Sequence, residues 1–271
     1  MLIQVFVVLF LCINLLLITT FFSKDVFYTT MRYILFAVTL MSDSAVLQIN
    51  LMLFLNVRYF TIQMWFCLIL YIISSLCMVV TPVTLTAMTL ERYVAICLPL
   101  RHAELCSPRS TLHGILIIYS LSSLPCISFL SIFLASSSSA SYTQSGTCAG
   151  ETFIIYTWQG PLMSAINQFY FLIMCITVVF SYVKIMRLAK AASGEDKKST
   201  WRGLRTVGLH AFQQLLCLIQ LWGPFIEAAV FKINVLLSIK VRFFNYITFI
   251  LAPRCLSPLI YGLRDEMFFM P

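Results

Sequence analysis

The sequence predicts an all-α membrane protein, a single domain built as a seven-transmembrane helix bundle, and two observations carry that expectation. Of its 271 residues, 61% are apolar and only 10% charged, whereas a soluble domain is roughly half apolar and a quarter charged. Three long runs, Met1 to Ser23, Tyr59 to Leu90 and Ser110 to Gly150, contain no Asp, Glu, Lys or Arg. One bilayer crossing needs about 20 apolar residues, so seven would consume about 140 and leave only short loops. The net charge of +8 does not point to nucleic acid, because the basic residues sit between the apolar runs, where they set membrane orientation.

Charged and polar breaks delimit the spans in order. The first, about 1–22, runs to the break at Ser23-Lys24-Asp25. It has no basic segment before it, exceeds the apolar stretch of a signal peptide and lacks a small-residue cleavage site, so it reads as a span with further sequence expected ahead of it. The second covers about 31–57 and stops at Arg58. The third, about 63–93, closes on Glu91-Arg92, and the fourth, about 112–135, gives way to the Ser-rich stretch Ser136 to Ser145, expected to be irregular loop. The fifth, about 161–188, leads into a basic segment from Lys184 to Arg205. The sixth and seventh are expected at about 204–230 and 243–263. Alternate loops hold thirteen Lys and Arg on one side (Lys24, Arg32, Arg92, Arg101, Arg109, seven from Lys184 to Arg205, and Arg264) and four on the other (Arg58, Lys232, Lys240, Arg242). The positive-inside tendency puts the first group in the cytoplasm, the N-terminus outside and the C-terminus inside.

Catalytic chemistry finds no support. The histidines His102, His113 and His210 fall in separate segments, no zinc-protease helix, phosphate-cradling glycine loop or nucleophile elbow occurs, and the ten cysteines contain no Cys-x-x-Cys pair. The expectation is therefore no enzyme, no cofactor and no metal site, with most cysteines acting as small buried hydrophobes. No internal repeat is visible, which weighs against a transporter built from inverted halves.

The third span ends Met88-Thr89-Leu90-Glu91-Arg92-Tyr93-Val94-Ala95-Ile96-Cys97-Leu98-Pro99-Leu100-Arg101-His102. This resembles the signature of odorant receptors within the rhodopsin-like G-protein-coupled receptors. Leu256-Ser257-Pro258-Leu259-Ile260-Tyr261-Gly262-Leu263-Arg264 resembles the same family's closing motif, and Asn14, Ser42-Asp43, Ser181-Tyr182 and Trp222-Gly223-Pro224 agree with it. Arg32 to Phe36, Pro99 to Ala103 and Leu256 to Pro258 look most like a teleost subgroup. Departures are Glu91 for the commoner Asp, no Trp in span four, no Pro in mid-span five and no glycosylation sequon.

The resemblance implies a multi-pass cell-membrane receptor that binds a small-molecule odorant and activates a heterotrimeric G protein of the stimulatory olfactory type. Glu91, Arg92 and Tyr93, with Tyr182 and Tyr261, would form its switch, and Glu91 is the expected partner of Arg92. The pocket would use Ser74, Ser75 and Met78, one helical face stepping away from Arg92, with Asn167 and Tyr170 on span five and Trp222, Phe225 and Ile226 on span six. Helix packing is the alternative for each. Cys67 and Cys148, placed as the family places its pair, would form a disulfide rather than stay free. The basic segment, including Lys197-Lys198, Ser193, Ser199 and Thr200, is a solvated loop that could also meet a G protein or anionic lipid.

Asp43 and Arg254 are the ionisable residues deepest in the apolar runs. An unpaired charge there costs at least about 2.5 kcal/mol, so a salt bridge is expected in the place where many family members hold sodium. The alternative sends Arg254 to backbone carbonyls or water, with Asp43 neutral. Against the receptor reading stand a small transporter or channel, and a nonfunctional receptor relic.

Overall fold

The computed structural model describes residues 2–28, 30–59, 62–136, 145–146, 148, 153–192 and 197–262. Among them, seven helical stretches are long and apolar enough to cross a bilayer: Ile3–Ser23, Met31–Leu53, Met64–Cys97, Arg109–Ser136, Gln159–Leu188, Gly208–Phe231 and Val235–Ile260. We call these spans one to seven. They form a bundle in which span three packs against spans two, four, five and six.

The burial pattern inverts that of a soluble protein. Large apolar side chains such as Leu16, Ile117, Phe169, Ile176 and Val179 face outward, while Asn14, Asp43, Thr81, Thr84, Gln213, Gln214, Arg254 and Ser257 are buried. Lipid tails solvate the first group as well as a protein core would, so polar groups gain most from the interior, where partners exist. Much of the hydroxyl content is satisfied within single helices: Thr84 Oγ1 donates to Val80 O at 2.7 Å, Ser44 Oγ to Leu40 O at 2.7 Å and Thr39 Oγ1 to Leu35 O at 3.0 Å.

Several boundaries differ from the sequence expectation, for local reasons. Span three continues past Tyr93 to Cys97 and stops because Leu98 precedes a proline, which disfavours helical backbone. Pro99 then starts a short helix, Pro99–Leu105. Span seven begins at Val235 rather than Phe243. The Asn234 side chain caps it, accepting from Leu236 N at 2.8 Å and Leu237 N at 3.2 Å. Lys240 and Arg242, read as loop charges, therefore lie on the helix, and Arg242 Nε donates to Glu227 Oε2 of span six at 3.0 Å.

Span seven also departs from α geometry twice, passing through π-helical turns at Tyr246–Leu251 and Pro258–Gly262, with a regular segment Ala252–Ser257 between them. The stretch from Ser136 to Ser145 is not wholly irregular. Ser136 ends span four, and β2 (Ser145–Gly146) pairs antiparallel with β1 (Ile62–Gln63), while 137–144 lie outside the described residues.

The prolines in the middle of spans three and four have consequences that fix helix contacts. A proline in a helix removes one N–H and leaves the carbonyl four residues earlier without its donor. For Pro82 of span three that carbonyl is Met78 O, and Gln220 Nε2 of span six donates to it at 2.8 Å. For Pro125 of span four it is Leu121 O, and Tyr170 Oη of span five donates to it at 2.6 Å. In each case a neighbouring span supplies the missing donor.

Candidate functional site

Clusters of buried polar contacts succeed one another through the bundle. At its centre the fully buried Asp43 of span two accepts from Thr81 Oγ1 of span three at 2.8 Å and from Ser257 Oγ of span seven at 3.0 Å. Arg254 Nε lies 3.6 Å from Asp43 Oδ1, within ion-pair range but longer than a hydrogen bond. The remaining guanidinium donors are also used. Nη1 donates to Gln220 Oε1 at 3.2 Å and to Ile250 O at 2.6 Å, and Nη2 meets Met78 Sδ at 2.9 Å. Both courses open to Arg254 from the sequence, a carboxylate and a backbone carbonyl, are thus taken at once.

Toward the Arg92 end, Gln213 Nε2 donates to Ser257 Oγ at 2.6 Å, and Gln214 joins spans three and six. Its Nε2 donates to Thr86 Oγ1 at 2.8 Å, and its Oε1 accepts from Thr89 Oγ1 at 2.8 Å. The succession ends where Arg92 Nη2 meets His210 Nε2 across the same two spans. The expected partnership of Glu91 with Arg92 gives way to this cross-span contact. Side chains one residue apart on a helix do not face each other, and Glu91 Oε1 instead lies 3.4 Å from His102 Nε2. Tyr93 packs its ring 5.9 Å from Phe180 of span five. The Tyr182 hydroxyl lies close to Thr89 and within electrostatic reach of Arg92, without a well-formed hydrogen bond. The side chain of Tyr261 lies outside the described residues.

His210, Gln213, Gln214 and Gln220 are not among the site residues expected from the sequence, where they sit inside an apolar span. A signal existed: Gln213 and Gln214 lie three and four residues after His210, and Gln220 lies seven, about two turns, after Gln213, so they share one helical face.

At the opposite end, Cys67 and Cys148 form a disulfide with their Cα atoms 5.6 Å apart. Beneath it, Tyr71, Phe129, Phe133 and Phe153 form an aromatic cluster. The Phe133 and Phe153 rings meet edge-on at 5.4 Å, and Tyr71 lies 5.3 Å from Phe153. Disulfide, strand pair and cluster tie the segment after span four to the start of span three.

The pocket residues expected from the sequence divide. Ser74, Ser75, Met78, Asn167, Trp222 and Ile226 are half-buried. The Trp222 indole meets Phe171 edge-on at 5.6 Å, and its Nε1 is buried without a hydrogen-bond partner. Tyr170 is engaged by the carbonyl that Pro125 releases. Phe225 is 46% exposed and its ring meets the Trp222 indole edge-on at 5.9 Å.

Tyr170→Phe tests that assignment. Leaving a carbonyl on the lipid-facing side of a span without its donor costs about 1–3 kcal/mol, so the variant is expected to lower the thermal midpoint of the purified protein with or without ligand. A ligand-dependent loss alone would return Tyr170 to the pocket.

The family described as 7 transmembrane receptor (rhodopsin family) matches residues 13–261. Odorant receptor 131-2 of Danio rerio is 42% identical over 271 residues, covering 98% of this chain and 82% of that receptor.

Proposed function

This chain belongs to the rhodopsin family of seven-transmembrane receptors, and from that premise we propose that it works as a G-protein-coupled odorant receptor, a multi-pass cell-membrane protein and not an enzyme. The observation that carries the odorant reading is the 42% identity to an odorant receptor along 98% of the chain. A transporter or channel has no comparable support, and the central polar side chains bond to one another across spans two, three, six and seven.

In this reading all 271 residues form one receptor domain, with the N-terminus outside and the C-terminus in the cytoplasm. The excess of Lys and Arg in the loops on the Arg92 side supports that orientation. The ligand sits among Ser74, Ser75, Met78, Asn167, Trp222 and Ile226. Mostly apolar walls suit a small apolar molecule, and the unpartnered indole N–H of Trp222 gives it one hydrogen bond if it carries an acceptor. Because Met78 Sδ contacts Arg254 and Met78 O contacts Gln220, a ligand pressing on Met78 acts on the central network. Activation is then a population shift: the odorant binds better to the arrangement in which span six has moved from span three. The Arg92–His210 contact opens, Tyr93, Tyr182 and Tyr261 repack, and Glu91 and Arg92 meet a heterotrimeric G protein, of the stimulatory olfactory type by family resemblance. The basic segment from Lys184 to Arg205 faces the same partner and anionic lipid.

The test is a cyclic-AMP reporter assay against an odorant panel. The unsubstituted receptor is expected to respond to at least one odorant, and Arg92→Ala to lose that response while reaching the surface in similar amount. Undiminished signalling by the variant would remove Arg92 from the switch, and a delivered receptor silent to every odorant would count against the function itself.

A further inference from the structure

We propose that Glu91, His102 and Cys106 form a binding site for a divalent transition-metal ion of the Zn²⁺ class at the Arg92 end of the bundle. Three elements bring them together. Glu91 lies near the end of span three, His102 is on the short helix Pro99–Leu105, and Cys106 caps that helix, its N–H donating to His102 O at 2.9 Å. The turn at Leu98-Pro99 folds the short helix back toward span three, and the four-residue spacing of His102 and Cys106 puts both on one face, as i and i+4 positions are.

The geometry fits an ion. One ligating atom from each residue, an imidazole nitrogen, a thiol sulfur and a carboxylate oxygen, lies within 4.8 Å of the others, and all three residues are half-buried. The His102 Nε2 to Glu91 Oε1 distance is 3.4 Å. In a tetrahedral zinc site, bonds of about 2.0–2.3 Å put neighbouring donors about 3.3–3.8 Å apart. The nitrogen–oxygen edge already has that length, so the sulfur has only to close in by a side-chain adjustment. Imidazole, thiolate and carboxylate are together a zinc donor set, and three protein ligands leave a fourth position for water.

Forming the metal–sulfur bond releases the thiol proton to solvent, with no change of oxidation state, and places a dication between the thiolate and the Glu91 carboxylate, which would otherwise repel. The other free cysteines have no such company among the described residues, and no Cys-x-x-Cys spacing announces the site. The histidine and the cysteine are four apart, and the acid comes from another helix. An ion here would fasten the end of span three to the short helix that follows it. Its effect on G-protein coupling rests on the receptor reading above, whereas the binding itself does not.

The experiment uses the full chain in lipid nanodiscs, with Co²⁺ as spectroscopic probe and Zn²⁺ as competitor. The unsubstituted protein is expected to give a saturable sulfur-to-cobalt charge-transfer band that Zn²⁺ abolishes. Cys106→Ser should lose the band. His102→Ala should weaken binding by at least about 100-fold, since even losing a partner outside the ligand set costs 10–100-fold. A second arm needs no variant: Zn²⁺ should protect Cys106 of the unsubstituted chain from maleimide labelling, read by peptide mass spectrometry. Equal labelling with and without Zn²⁺, or a cobalt band unchanged in either variant, would overturn the proposal and leave Glu91–His102 as a simple polar contact.

Discussion

Arg254→Gln alone is expected to reduce the yield of folded surface receptor severely, and adding Asp43→Asn to recover much of it. The wild-type pair has no exposure to solvent, and its ion-pair contact is 3.6 Å. Taking away either partner leaves a buried charge uncompensated, a loss of about 3–5 kcal/mol, whereas removing both charges together leaves a neutral polar cluster. Of Thr81 and Ser257, which donate to different carboxylate oxygens, one would still donate to the carbonyl of the replacing amide and the other would accept from its N–H, and the amide that replaces the guanidinium could still reach Gln220. The measurement is a double-mutant cycle on surface yield and thermal midpoint, in which the two single losses should sum to well over the loss in the pair. Strictly additive losses would sink the idea. The Arg254 guanidinium beside Asp43 supplies the positive charge a bound cation would otherwise bring, so ligand responses of the unsubstituted receptor should not change when sodium is replaced by a bulky organic cation. A sodium-dependent shift would contradict that.

Cys67→Ser and Cys148→Ser are each expected to cost comparable stability. The bond spans a sequence separation of 81, and loop-closure entropy for that length corresponds to about 4.5 kcal/mol. What remains in the variants is the short strand pair and the aromatic cluster around Phe153, too little to hold the segment after span four against the start of span three. Either substitution, or mild reduction of the native protein, should lower the thermal midpoint and the surface fraction by similar amounts, and the double substitution should add nothing further. Recovery of both residues as alkylated free thiols from folded, nonreduced protein would refute the bond.

The sequence made the seven spans legible because bilayer thickness imposes a length and a composition on each of them, and neither depends on tertiary contacts. It also exposed Asp43 and Arg254, since ionisable residues stand out in an apolar run. The ends were read less well wherever a local backbone rule outweighed charge. Pro99 set the stop of span three, and the Asn234 cap set the start of span seven although Lys240 and Arg242 lay ahead. Roles that depend on which neighbour a side chain meets were least legible. Tyr170 looked like a pocket residue and answers a proline in span four; Arg92 sat next to an acid and reaches a histidine 118 residues away. Helix rotation decides such pairings, and the 3-10 turn at Gln220–Trp222 leaves no simple mark in composition. The Gln213-Gln214 pair and Gln220 were discoverable, since amides rarely recur on one face of an apolar helix without cross-helix partners.

The two π turns of span seven bear on how the gene can vary. A π turn carries one residue more than the α turn it replaces, and one residue is about 100° of helix rotation. Deleting a single codon within Tyr246–Leu251 would therefore let that turn relax to α while everything after it, Arg254 and Ser257 included, keeps its place around the axis. The same deletion in the regular helix Val235–Asn245 has no such slack and would swing the residues beyond it about a quarter-turn, turning Arg254 and Ser257 away from Asp43. The π turn is thus expected to tolerate the loss of one residue where the regular helix before it does not, a difference that a hydropathy profile of the same sequence would not register.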